Sequence, residues 1–122
     1  MTEKRDAKPY NLEERTLLFA KTIIDFVDSI PKTLANNEIA RQLVRSAGSV
    51  GANYIEANEA LSKKDFLLRV KICRKEAKES CYWIKLLVVP DSLTVAQAGL
   101  LQESTEIMKI FSAIIEKTGK KV

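Results

Sequence analysis

The chain reads as an all-α protein, an antiparallel up-down-up-down four-helix bundle, and three observations predict it. Only four glycines and three prolines occur in 122 residues, too few for a turn-rich β fold. Apolar residues recur at steps of three and four along most of the chain. Pro31, Ser62 and Pro90 punctuate this pattern into four long stretches with short connections, and short connections make consecutive helices antiparallel neighbours. With 46% apolar and 30% charged residues, the chain has the balance of one folded domain with a single core.

The first helix is predicted from about Leu12 to Ile30, with Asn11 as N-cap, Glu14 three residues on, and Pro31 as the stop. Leu12, Thr16, Phe19, Ile23, Phe26 and Ile30 stack on one face, with Leu17, Ala20, Ile24 and Val27 as an adjacent stripe. The second helix is placed from Asn37 or Glu38 to near Leu61, with Ile39, Leu43, Ala47, Val50, Tyr54, Ala57 and Leu61 as its core stripe. It contains Gly48 and Gly51. Each glycine inside a helix costs about 1 kcal/mol relative to alanine, so close approach of another backbone is expected there. Ser62 and Asp65 form a capping box that starts the third helix at Lys63. That helix is predicted to run to Val89, with Phe66, Val70, Cys73, Ala77, Cys81, Ile84 and Val88 inward. The fourth is expected to begin after Ser92 or Thr94 and to end at Gly119. Leu100, Ile107, Phe111 and Ile114 line one of its faces, with Leu101, Met108 and Ile115 beside them. A bundle domain over residues 11–119 thus lies between two expected flexible tails, 1–10 and 120–122. The apolar arcs of the first and fourth helices are wider than one bundle's seam requires, which predicts a homo-oligomer.

Composition also excludes several function classes. The start carries Glu3, Lys4, Arg5, Asp6 and Lys8, unlike a secretory signal, and no apolar run approaches the roughly 18 to 20 residues of a membrane span. A cytoplasmic protein with no membrane partner is expected. Cys73 and Cys81 lie eight residues apart on one helix, about 12 Å along its axis, too far for a disulfide and suited to free thiols. Histidine is absent, which removes the commonest general base and transition-metal ligand together. No cofactor or metal site is predicted.

Two constellations bear on function. Glu56 with Glu59, and Glu76 with Glu79, form paired acidic motifs on two helices, the pattern by which all-helical nucleotide pyrophosphatases hold magnesium. A turn centred near Ser62 sets Glu76 opposite Gly48 and Glu79 opposite Arg45, so the two acidic pairs stand about 12 Å apart along the axis. The same register predicts a polar seam: Arg45 against Glu79, Glu56 within reach of Arg69, and Ser49 and Asn53 on the same stripe as Arg45. The second constellation is a lysine row, Lys64, Lys71, Lys75, Lys78 and Lys85, opposite the third helix's core stripe and shared with Leu68 and Tyr82. Eight basic residues against three acidic ones between Lys63 and Lys85 make the local charge +5, more than the net +4 of the whole chain. Such a row suits phosphate backbones, although a solvated lysine face is the commoner origin of one and no base-reading motif accompanies it.

The segment Arg41-Gln42-Leu43-Val44-Arg45-Ser46-Ala47-Gly48-Ser49-Val50-Gly51-Ala52-Asn53-Tyr54-Ile55-Glu56-Ala57 resembles the signature of the four helix bundle protein family, also described as ribosomal-RNA intervening-sequence proteins. Ser62-Lys63-Lys64-Asp65-Phe66 and the stretch from Lys75 to Trp83 are similar to that family as well, and the likeness spans about Leu12 to Lys117. Many relatives read Asn-Ile-Ala-Glu-Gly where this chain keeps Asn53 and Glu56 but has Tyr54, Ile55 and Ala57. The resemblance implies an antiparallel bundle that assembles as a barrel-like homopentamer. It also implies kinship with the accessory protein of diversity-generating retroelements, which binds nucleic acid and a reverse transcriptase through a basic surface. The reading that unites these observations is a non-enzymatic oligomeric bundle binding RNA or DNA through Lys64, Lys71, Lys75, Lys78, Lys85 and Tyr82. A protein-interaction adaptor and a metal-dependent pyrophosphatase are the alternatives.

Overall fold

The computed structural model describes residues 11–119 and holds four α-helices there: α1 (Leu12–Ser29), α2 (Leu34–Asn58), α3 (Lys63–Leu86) and α4 (Thr94–Gly119). The two expected tails lie outside the described residues. Each helix packs on its neighbours in chain order, and α4 closes the bundle against α1 along the sparsest seam. Polar contacts between helices show the antiparallel sense. Arg45 meets Glu79 while Asn53 meets Arg69, and Ser104 meets Ala77 while Gln97 meets Ile84.

Capping explains where the helices begin. Asn11, Thr33 and Ser62 each accept a hydrogen bond from the backbone N–H three residues on, which satisfies one of the donors a helix start leaves unpaired. Asn11 and Ser62 are the caps the sequence predicts. Thr33 is not, and α2 starts at Leu34, ahead of the expected Asn37 or Glu38. The reason is tertiary. Asn36 is buried, and its Nδ2 donates to Pro31 O at 3.1 Å and Val88 O at 2.8 Å while its Oδ1 accepts from Val88 N at 3.0 Å. One side chain in the first turn of α2 thus ties down the connection that follows α3.

The helix ends fall earlier than the apolar pattern suggests. α2 stops at Asn58 and leaves Leu61 98% exposed; α3 stops at Leu86, leaving Val88 70% exposed while Leu87 turns inward. Gln97 of α4 supplies the missing partners at the end of α3, donating from Nε2 to the carbonyls of Ile84 and Leu87 at 2.9 and 3.0 Å. A 3-10 turn, Asp91–Leu93, then leads into α4.

The core otherwise follows the predicted stripes. Phe19, Ile23, Phe26 and Ile30 from the first stretch, Leu43, Ala47, Val50 and Ala57 from α2, Val70, Cys73, Ala77 and Ile84 from α3, and Leu100, Ile107 and Phe111 from α4 are buried. Cys81 is half-buried, its sulfur 3.6 Å from Thr105 Oγ1. The spare apolar surface lies partly elsewhere than predicted. Leu101, Met108, Ile114 and Ile115 of α4 pack against the core, and the large apolar side chains left exposed include Leu17, Leu18 and Ile24 on α1 and Val44 and Ile55 on α2.

Only one of the two α2 glycines marks a close approach. A Cβ at Gly51 would stand 2.9 Å from Thr16 Oγ1 and 3.3 Å from Thr16 Cβ, whereas one at Gly48 would meet nothing within 4 Å. Thr16 cannot yield easily, because it is buried and its hydroxyl is bonded to the carbonyls of Leu12 and Glu13. Gly48→Ala is therefore expected to raise stability by up to about 1 kcal/mol in urea unfolding, while Gly51→Ala lowers it despite alanine's better helix propensity. Asn36→Ala is expected to cost roughly 1–3 kcal/mol in the same assay, because it removes the three hydrogen bonds by which a buried side chain holds the backbone of Pro31 and Val88.

Candidate nucleic-acid interface

At 100° per residue, Lys64, Lys71, Lys75, Lys78 and Lys85 fall within a narrow arc of α3. All five are exposed, and the arc lies opposite the buried Cys73, Ala77 and Ile84. No described carboxylate forms an ion pair with any of them. Leu68 and Tyr82 share the arc and are 57% and 56% exposed. The row therefore presents cations outside the ion pairs of the described residues, Lys75 alone lying close enough to Glu79 to help lower its pKa, with one aromatic ring among them.

The α2–α3 seam runs beside this row. Arg45 Nη2 donates to Glu79 Oε2 at 2.7 Å and stands 3.6 Å from Glu76 Oε1, a buried oxygen with no hydrogen-bond partner. Trp83 Nε1 donates to the same Glu79 oxygen at 3.0 Å. This indole bond, reinforced by the Arg45 charge, holds the Glu79 carboxyl below the usual carboxylate range. Trp83 in turn meets Tyr82 edge to face, ring centroids 5.0 Å apart and planes at 70°. Farther along, Arg69 Nη1 donates to Asn53 Oδ1 at 3.0 Å, and Asn53 Nδ2 donates to Ser49 O at 2.9 Å.

Glu56 does not take Arg69, contrary to the sequence-based expectation. It lies three residues after Asn53 and so is rotated about 60° away from α3, where it is exposed; Asn53 reaches the guanidinium instead. Glu59 is exposed as well. The four glutamates of the two acidic motifs are not assembled: among the described residues, no group of three or more His, Cys, Asp or Glu side chains is placed to hold a metal ion. Cys73 is sealed in the core, and burial pushes its thiol up to about 12, which leaves no thiolate for chemistry at neutral pH.

Several organising side chains carry little sequence signal. Ser46 and Ser80 face each other with hydroxyl oxygens 2.9 Å apart, and Ser104 donates to Ala77 O at 2.8 Å, all three buried. Their only signal is a small polar residue at a helical position inside the apolar arc. Arg15 binds Glu103 through Nε and Nη2, both at 2.8 Å, and Glu106 at 2.9 Å, which joins α1 to α4. The hydrogen bonds it donates to Glu103 lead in holding the guanidinium even more firmly charged than usual. Residues 88 positions apart give no local hint of such a pairing. No helix among the described residues is long and apolar enough to cross a membrane.

Comparison with known proteins agrees with this architecture. The family model described as 23S rRNA-intervening sequence protein matches residues 10–113. A crystal structure of a protein of unknown function from the S23 ribosomal protein family of Bacteroides thetaiotaomicron VPI-5482 is similar, with 34% sequence identity and a TM-score of 0.73. The similarity covers 86% of this chain and 98% of that one. No curated protein matches.

The seam has a measurable signature. Arg45→Ala and Glu79→Ala are expected to be non-additive, with a coupling of about 0.5–1 kcal/mol in a double-mutant cycle, modest because Arg45 is half exposed. Because folding lowers the Glu79 pKa, its contribution is complete above the unfolded-state value and is lost as pH falls through the folded one. The coupling measured by urea unfolding should be present at pH 7 and weaken as pH falls below the ordinary carboxylate range, and Trp83→Phe should shift its loss to higher pH.

Proposed function

The chain belongs to the 23S rRNA-intervening sequence protein family, and on that premise we propose that it is a non-enzymatic, homo-oligomeric helical bundle that binds RNA or DNA along α3. The observation that carries this reading is the lysine row: five exposed cations on one side of one helix, none of them in an ion pair with a described carboxylate. Lys64, Lys71, Lys75, Lys78 and Lys85 contact phosphates and displace their counterions, and Tyr82 lies within the contact surface. Cys73 and the dispersed glutamates offer no nucleophile or metal cradle, which supports a binding role over a catalytic one.

Assembly in this reading uses the outer side of α1 and α2. Leu17 and Ile24 (56% and 45% exposed) lie along one flank of α1, and Val44 and Ile55 (36% and 51%) lie on the α2 flank beside it. Burying such side chains is what a stable interface between copies requires, and the pentamer implied by the family resemblance would repeat it around a ring. The α3 row remains outside this contact, so each copy contributes its cations to the cytoplasmic assembly's charged surface. The exposed Leu34, Leu61 and Val88 at helix ends, at 83%, 98% and 70%, are the observation in favour of the adaptor alternative, in which a protein partner covers them.

Two measurements test the proposal. Light scattering should return the mass of a pentamer, reduced to that of a monomer by Leu17→Glu with Ile24→Glu; a monomeric wild type would refute the assembly. RNA and DNA affinity should fall with salt, and replacing Lys71, Lys75 and Lys78 by Gln should flatten the logarithmic slope by about 0.7–0.9 per lysine that contacts a phosphate. Absence of binding at low salt would refute the nucleic-acid role, and nuclease-insensitive capture of a protein through the helix ends would favour the adaptor.

A further inference from the structure

Phosphate contacts alone do not favour a single strand over a duplex, which presents the same anions at higher density. Tyr82 does separate them. It lies four residues after Lys78 and three before Lys85, about 6 Å and 4.5 Å along the α3 axis, inside the cationic arc and 56% exposed. A base within a duplex has both faces covered by its stacked neighbours. Only an unpaired base can offer a face to an aromatic ring.

The ring is also held in place. Trp83 packs against Tyr82 edge to face, with centroids 5.0 Å apart. Trp83 Nε1 is fixed on Glu79 Oε2 at 3.0 Å, and that oxygen is fixed by Arg45 of α2 at 2.7 Å. The links run from α2 across the seam to the solvent-facing phenol. A ring that already packs on a hydrogen-bonded neighbour loses less freedom when a base stacks on it. Leu86, one turn beyond Tyr82 and 41% exposed, extends the apolar floor beside the ring.

Resting on the nucleic-acid reading above, we infer that the ligand of the α3 face is single-stranded nucleic acid, with an unpaired base stacked on Tyr82 and its flanking phosphates on Lys75, Lys78 and Lys85. Stacking and phosphate contact both ignore the ribose 2′-hydroxyl, so RNA and DNA strands bind alike.

The test is fluorescence anisotropy on the full chain at low salt, with labelled oligouridylate, oligothymidylate and an RNA duplex of equal length. Both single strands are expected to bind about ten-fold or more tightly than the duplex, within the range that base–aromatic stacking provides. Tyr82→Leu should weaken strand binding far more than duplex binding and so abolish that preference, with helical content as the folding control, and Tyr82→Phe should keep it, because the face and not the hydroxyl does the stacking. Trp83, the only tryptophan, should change its emission on binding the strands. Equal affinity for strand and duplex, a preference that survives Tyr82→Leu, or strict dependence on the 2′-hydroxyl would each overturn the inference while leaving a phosphate-binding face intact. Loss of all binding, strand and duplex together, would overturn both it and the proposed function.

Discussion

Ser46 and Ser80 meet across the α2–α3 contact with hydroxyl oxygens 2.9 Å apart, and each also bonds a carbonyl of its own helix. Both hydroxyls are fully buried, and the contact between them forms only when these two residues lie level with each other. A shift of one turn would break that contact and leave each hydroxyl only its own helix's carbonyl, a loss of about 0.5–1.5 kcal/mol. The pair is small as well as polar, which lets the helices approach closely. Arg45 with Glu79, and Arg69 with Asn53, then fall into place on the solvent side of the same contact. The buried hydroxyl contact and the two polar pairs beside it select one register, which with the buried apolar face of α3 turns the lysine row outward.

The rest of the bundle is attached to this hairpin by polar clamps at its ends. Asn36 and Gln97 hold the backbone around the end of α3 from two different helices, where unpaired carbonyls would otherwise be exposed or stranded. Arg15 joins α1 to the glutamates of α4, and Asn58 Nδ2 donates to Glu13 Oε2 at 2.7 Å at the same end of the molecule. α1 has the least help from direct packing on α4, and there a bidentate guanidinium–carboxylate pair has the most to contribute.

The surface is divided in a way that suits two different partners. The outer flanks of α1 and α2 are apolar, while the outer arc of α3 is cationic with one fixed aromatic ring. Since α3 is braced by α2 on one side and α4 on the other, both surfaces can be occupied at once. The seam residues connect them, because Arg45 sits on α2 and yet positions Trp83 of α3 through Glu79.

Much of this architecture could be read in the chain itself. Helical periodicity placed the core residues from Phe19 to Phe111, Asn11 and Ser62 announced their helices, and the short turn at Ser62 set Arg45 opposite Glu79. Each is a local or hairpin-scale relation, determined by 3.6-residue periodicity, capping chemistry and the length of one turn. The early start of α2, the inward turn of Leu87 in place of Val88, the preference of Arg69 for Asn53 over Glu56, and the empty space at Gly48 were decided only in three dimensions. Each depends on partners tens of residues away, as Asn36 does on Val88 and Gly51 on Thr16. The same holds for the all-helical fold as a whole. Its four helices and their antiparallel order were legible in the sequence, whereas which apolar flank stays uncovered was settled by packing in three dimensions, which turns Leu101, Met108, Ile114 and Ile115 of α4 onto the core and leaves Leu17 and Ile24 of α1 outside it.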